Sequence, residues 1–206
     1  MIERPVTILE KKAANLLRNE YLLILSPEQN FQEQIIQEKK TFYGKYKAVT
    51  ALSSKPHITL VSFLQYQPME EKIIHRLSNI AGTQLPFVMA IDGFGSFPSH
   101  TIFFRVTTPT AIQELVKQIR PIQHLLKSKE DKPHLIMEPH LTLARQLTPR
   151  QYEQGWLEYR HKHFTGKCLI KNMLLLKKKD GERYYEPVME FAFTNKVEKI
   201  TQGTLF

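Results

Sequence analysis

Two histidines, His57 and His140, lie in near-copies of one short sequence. These are Pro56-His57-Ile58-Thr59-Leu60 and Pro139-His140-Leu141-Thr142-Leu143, on a chain with eight histidines in all. Successive side chains of a β-strand point to opposite faces, so each copy puts its His and Thr on one face and its aliphatic residues on the other. The hydroxyl then lies about one strand repeat, roughly 7 Å between Cα atoms, from the imidazole. If two such strands face one another across a groove, two imidazoles oppose each other on either side of a substrate, a geometry that suits cleavage of a phosphoester. Histidine fits both halves of that chemistry, because a pKa near 6.5 lets one ring accept a proton while the other donates one. Each transfer is worth on the order of a hundred- to ten-thousand-fold. The hydroxyls of Thr59 and Thr142, on stiff β-branched side chains, suit the non-bridging phosphate oxygens as charge builds on them. A lone His-x-Thr on an apolar strand is ordinarily a packed histidine; duplication is what points to catalysis.

Other residues near the motifs could hold an anion or a base. Lys55 precedes His57 by two positions and Glu138 precedes His140 by two, so each shares its histidine's face. A neighbouring cation lowers and an anion raises an imidazole pKa, which predicts His57 as the base and His140 as the acid. Arg145 is five residues beyond His140 and belongs on the opposite face of a regular strand. It reaches a phosphate only where the strand ends or bulges near Ala144; otherwise it makes a structural ion pair. Phe42, Tyr43 and Tyr46, with Lys45 and Lys47, read as a basic, aromatic loop that can stack a base, worth about 1–3 kcal/mol. The competing reading makes Phe42 and one tyrosine core anchors. His134 follows a proline but has Ile136 in place of threonine, and reads as a decoy or a groove-edge residue.

The elements that must position these residues come in two similar series. Strand periodicity falls on residues 21–25 and helical periodicity on 28–40, followed by a loop over 41–47, the first motif strand to about residue 64, and a helix over 68–81. Strands at 87–91 and 101–106 flank a turn over 92–99. A helix over 110–126 is kinked or restarted at Pro121. The second motif strand precedes a helix over 149–161, and a hairpin of 168–178 with 184–193 closes the pattern. The order strand, helix, motif strand, helix thus occurs twice, which predicts a duplicated α+β unit. Residues 1–19 read as a polar arm, 20–196 as a single two-lobed domain and 197–206 as a tail.

The chain has 206 residues, of which 42% are hydrophobic and 24% charged, the balance of a soluble globular protein. No apolar run approaches a membrane span, and the first nineteen residues lack the apolar core of a signal peptide, so the expected location is cytoplasmic with no membrane partner. The one cysteine, Cys168, permits no intrachain disulfide and reads as a buried small hydrophobe. A net charge of +9 favours an anionic partner, although runs such as Lys39-Lys40 and Lys177-Lys178-Lys179 read as exposed, solvated faces. A Gly-x-Ser-x-Gly elbow and a phosphate-gripping glycine loop are both missing from the sequence, which disfavours serine hydrolase and ATP-driven ligase chemistry. Zinc held by His57 and His140 would need further ligands that the alternating pattern does not supply at short range.

Paired His-x-Thr motifs in two pseudo-symmetric lobes resemble the two-histidine (2H) phosphoesterase superfamily. The run Pro139-His140-Leu141-Thr142-Leu143-Ala144-Arg145 resembles the second motif of its bacterial RNA 2′,3′-cyclic phosphodiesterase branch, also called 2′-5′ RNA ligases. Gly93-Phe94-Gly95-Ser96-Phe97-Pro98 is similar to that branch's mid-chain turn, and the resemblance covers roughly residues 20–195. It implies an α+β, bilobed fold in which two antiparallel sheets form a central groove with helices outside. His57 and His140 become the acid/base pair and Thr59 and Thr142 the phosphate-binding hydroxyls. Lys55, Arg145, Phe42, Tyr43 and Tyr46 become candidate substrate contacts. The implied substrate is an RNA end or a nucleotide, with no metal, no other cofactor and a monomeric chain. The sequence departs from the branch at Val61-Ser62-Phe63-Leu64-Gln65, where a run ending in glycine is usual, and in a shorter, less basic mid-chain turn. The expected activity is opening of 2′,3′-cyclic phosphates, with reversible 2′-5′ RNA joining beside it. The alternatives are a non-catalytic RNA- or nucleotide-binding module and a different phosphoryl substrate.

Overall fold

Alternating strands and apolar-striped helices build two antiparallel sheets, with the helices on their outer faces. The computed structural model describes residues 18–129 and 131–196, so the expectations for residues 1–17 and 197–206 fall outside it. In chain order the elements are β1 (Arg18–Leu25), α1 (Gln29–Tyr46), a 3₁₀ turn (Val49–Leu52), β2 (Ile58–Tyr66), α2 (Glu70–Thr83), β3 (Phe87–Phe97) and β4 (Thr101–Val106). There follow α3 (Thr110–Ile119), α4 (Gln123–Leu126), β5 (His134–Leu135), β6 (His140–Ala144), α5 (Pro149–Tyr159), β7 (Thr165–Ile170), β8 (Asn172–Lys178) and β9 (Glu186–Ala192). The first sheet has the order β5-β2-β1-β8-β9 and the second β6-β4-β3-β7. The duplication is visible here: β2-β1-β8-β9 and β6-β4-β3-β7 are matching four-strand orders, each with its His-x-Thr strand beyond the first strand of its series. The first sheet adds only the short β5, which pairs with β2 through Ser62 and His134. His134 thus sits at the sheet edge.

Each helix forms because its buried residues recur at helical spacing. Helix α1 buries Phe31, Ile35, Lys39 and Phe42, and α3 buries Ile112, Leu115, Val116 and Ile119. Pro121 does end α3: residues Arg120–Ile122 form a 3₁₀ turn, and α4 restarts after it. Thr148 caps α5 in a capping box with Gln151, with Pro149 in the first turn. Helices α1 and α5 meet the second sheet around a cluster of Phe42, Phe94, Phe104, Tyr159 and Phe164. Helix α1 therefore follows a strand of the first sheet yet packs against the second, joining the two halves. No helix among the described residues is long and apolar enough to cross a membrane.

Several elements differ from their sequence patterns. Strand β1 begins at Arg18, because Asn19 is buried and its amide donates to the Gln67 side chain at 2.8 Å. Residues 41–46 are the last turns of α1 and no loop: the buried stripe runs on through Phe42, and the helix stops at Lys47, whose φ of 56° is left-handed and whose N–H donates to the Tyr43 carbonyl at 2.7 Å. Strand β3 continues to Phe97, absorbing the expected turn by a bulge between Ile91 and Phe94 with Gly93 at φ 65°. The apolar run 168–178 is two strands: β7 pairs with β3 and β8 with β1, so the chain leaves the second sheet for the first at Lys171. Lys39 is 3% exposed, so the Lys39-Lys40 run is only half solvated. Cys168 is buried, and that burial pushes its thiol up to about 11.

Candidate active site

His57 is the residue immediately before β2, half-buried, and His140 is the first residue of β6, also half-buried. Their rings are anchored alike. His57 Nδ1 lies 2.8 Å from the Lys55 carbonyl oxygen, and His140 Nδ1 lies 2.9 Å from that of Glu138. A carbonyl only accepts, so each Nδ1 carries the proton, and the neutral ring keeps its lone pair on Nε2. Strands β2 and β6 come within 8 Å of one another between Cα atoms, although they belong to different sheets. A positive charge on His140 would disfavour one on His57, in keeping with the approach of the two strands.

Burial of the His57 ring is the main influence on its pKa and holds it below the ordinary imidazole value. The hydrogen bond to the Lys55 carbonyl opposes this, and the positive charges of Lys39, Arg145 and His140 reinforce it. The direction is the one expected of a base, with a different source. The Lys55 side chain is exposed, and Lys55 acts on the ring through its backbone carbonyl.

Thr59 and Thr142 are half-buried on β2 and β6, each on its histidine's side of the strand. Strand β4 supplies neighbours on the second lobe: Phe103 is in register with Thr142, and Arg105 with His140. The His140 ring is held between Phe97, edge-on at 4.9 Å between centroids, and Phe103 at 5.1 Å. Phe97, Phe103, Arg105 and Lys39 escape a reading of the motifs alone. The first three become visible once β3, β4 and β6 are known to be neighbours, and Lys39 from its place in the α1 stripe.

Arg145 meets the condition that the strand must bulge and end near Ala144. The β4/β6 pairing shifts between Ile102 and Phe103, β6 stops at Ala144, and Gln146 has φ 52°. Arg145 is exposed, and its charge acts on His57 and Lys39 as well as on Glu20 and Tyr185. Its carbonyl accepts the Thr50 hydroxyl at 2.5 Å, which ties the turn before His57 to the end of the His140 strand. Burial would raise the Glu20 carboxyl, but hydrogen bonds from Lys178 and Tyr185 and the charges of Lys178 and Arg145 hold it below the usual range.

The aromatic trio does not form a stacking platform. Phe42 is fully buried, 4.8 Å from Tyr46 and 5.0 Å from Tyr159 between ring centroids, and has no surface to offer a base. Tyr46 and Lys45 both donate to the Glu158 carboxylate, and Tyr43 packs half-buried against the core. Gly44 and the two lysines beside this segment give it a loop's composition, yet its aromatic residues serve the helix. Among the described residues no group of three His, Cys, Asp or Glu side chains could hold a metal ion.

A family model described as the 2′-5′ RNA ligase superfamily matches residues 27–182. No curated protein matches the sequence. Among solved structures, that of Escherichia coli LigT complexed with 3′-AMP superposes with a TM-score of 0.64 at 16% identity, covering 86% of this chain and 99% of LigT. That of TT0787 from Thermus thermophilus superposes at 0.62 and 14% identity, covering 86% of this chain and all of the other. The apo form of LigT gives 0.61 at 18% identity, covering 86% and 98%. At these identities the likeness is one of fold.

Proposed function

The chain belongs to the 2′-5′ RNA ligase superfamily, and from that premise we propose that it is a metal-independent phosphoesterase that opens 2′,3′-cyclic phosphates on RNA ends or nucleotides. The observation that carries this reading is the matched anchoring of His57 and His140, which leaves each ring one free nitrogen for proton transfer. His57, biased toward its neutral form, takes a proton from the attacking water through Nε2. The water oxygen bonds to phosphorus as one ribose P–O bond breaks, and His140, entering the step as the imidazolium with both nitrogens protonated, gives its Nε2 proton to the departing oxygen. Charge on the non-bridging oxygens is met by the hydroxyls of Thr59 and Thr142 and by Arg145, the oxyanion-type stabilisation that commonly contributes most to such a barrier. With a ribose 5′-hydroxyl in place of water as the nucleophile, the same steps join a 2′-5′ linkage as the 3′ P–O bond breaks, and run backwards they cleave that linkage and re-form the cyclic phosphate. The structures of E. coli LigT complexed with 3′-AMP, NADP+ and ATP support a nucleotide as the ligand class.

The test offers the purified protein, with chelator present, a panel of 2′,3′-cyclic and 2′-5′-linked substrates and identifies the position of the product phosphate. A 2′- or 3′-monophosphate from the cyclic substrate, lost in both His57→Ala and His140→Ala, is expected. Turnover that survives both substitutions rules the mechanism out. Salt-sensitive binding without product identifies a nucleotide- or RNA-binding module instead.

A further inference from the structure

The apolar stripe by which α1 packs is interrupted by a cation. Lys39 lies between Ile35 and Phe42 on that stripe and is as inaccessible as they are, at 3% exposed. Its Nζ donates to the Ser54 carbonyl at 2.8 Å, and no carboxylate pairs with it among the described residues. Ser54 lies three residues before His57, in the segment that joins the 3₁₀ turn to β2.

A buried ammonium with one neutral acceptor is an unfavourable arrangement, because the desolvation of a charge is repaid only by good ionic partners. The charged and titratable groups around it make matters worse. Arg145 acts on Lys39, and Lys39, Arg145 and His140 all act on His57, so the charges that act on the ring are positive, and the Lys55 carbonyl alone opposes them. Burial, with Arg145 behind it, pushes the Lys39 ammonium down to about 8. A methionine would fill the same stripe without that penalty. Packing gives no reason for a lysine here, whereas the position beside the base histidine does.

We propose that Lys39 is a positioning residue for His57: it holds the loop that carries the ring through the Ser54 carbonyl and keeps a fixed positive charge against it. Around neutral pH the charge disfavours a second proton on the ring, so His57 enters the reaction with Nε2 free. An anionic phosphate in the groove then offsets the repulsion at the moment the ring must accept a proton. This deepens the two-histidine reading and rests on it for what the ring does. The ring's titration, however, can be read whatever the substrate is.

The test is an NMR titration of the His57 imidazole in the full chain, its signal identified by its loss in His57→Asn, in wild type, Lys39→Met and Lys39→Arg. The expected result is a His57 midpoint higher by roughly half a pH unit or more in Lys39→Met, with Lys39→Arg close to wild type. The acidic limb of the kcat/KM profile on a 2′,3′-cyclic nucleotide moves up by the same amount. Lys39→Gln, which keeps a donor for Ser54 without the charge, gives the same comparison if the methionine variant cannot be titrated. A His57 midpoint that is indifferent to the charge at position 39 overturns the proposal and leaves the phosphoesterase reading standing. A wild type that opens no cyclic phosphate overturns that reading, while the titration still decides the role of Lys39.

Discussion

The Phe103 ring occupies the space that a side chain on Gly95 would need: a Cβ there would lie 2.5 Å from it. Gly95 and Phe103 are register partners on β3 and β4, and the ring that lies over the glycine reaches His140 on the next strand. Gly95→Ala is therefore expected to push Phe103 into His140, destabilising the protein by about 1–3 kcal/mol. Turnover should fall on the order of tenfold through loss of orientation. Denaturant melts and kcat measured on one preparation check both. Wild-type turnover in this variant would mean that Phe103 does not hold the ring.

The depressed pKa of His57 fixes the sign of an acid effect. Above the ordinary imidazole value both folded and unfolded chains carry the ring neutral, and it has no effect on the slope. As pH falls below about 6.5 the unfolded chain takes up the proton first, so native stability declines until the folded ring is protonated as well. Urea denaturation at pH 7 and pH 5 is expected to show a smaller acid loss in His57→Gln than in wild type. An equal loss would remove His57 from the account.

Lys39 carries the opposite signature at alkaline pH. Its folded value of about 8 lies below the ordinary lysine value of about 10.4, so between the two the unfolded chain binds the extra proton and native stability rises with pH. Below pH 8 both states are protonated and the native state bears the whole penalty. Lys39→Met is therefore expected to melt above wild type at pH 7, with the gap in Tm closing toward pH 10. A constant gap would show that the ammonium is not what strains the site.

Phe42→Ala separates core from contact. The ring is fully buried against Tyr46 and Tyr159, so its removal is expected to cost about 3–5 kcal/mol. KM in the remaining folded protein should not change. A raised KM at a temperature where the variant is fully folded would restore Phe42 to the substrate groove.

The sequence discloses most where the signal is local and repeated. Both His-x-Thr strands, the restart at Pro121 and the doubled order of elements follow from alternation, spacing and proline chemistry, none of which needs a neighbour. It is silent where meaning depends on what packs alongside. Lys39 looks like half of a solvated pair until the stripe of Phe31, Ile35 and Phe42 is extended through it. Phe103 looks like any strand aromatic until β4 is set beside β6. Residues 168–178 read as one strand because apolar side chains run on across Lys171, where the backbone changes sheets. The bulge that frees Arg145 is likewise a property of a pairing.

That change of sheets at Lys171 has a consequence for biosynthesis. Strand β1 is flanked by β2 on one edge and β8 on the other, and β8 and β9 follow both histidine strands in the chain and are the last strands among the described residues. A nascent polypeptide that has already delivered both histidines still leaves β1 with an open edge, exposed to other chains until the residues of β8, Asn172–Lys178, emerge from the ribosome. The half that is translated first is completed last.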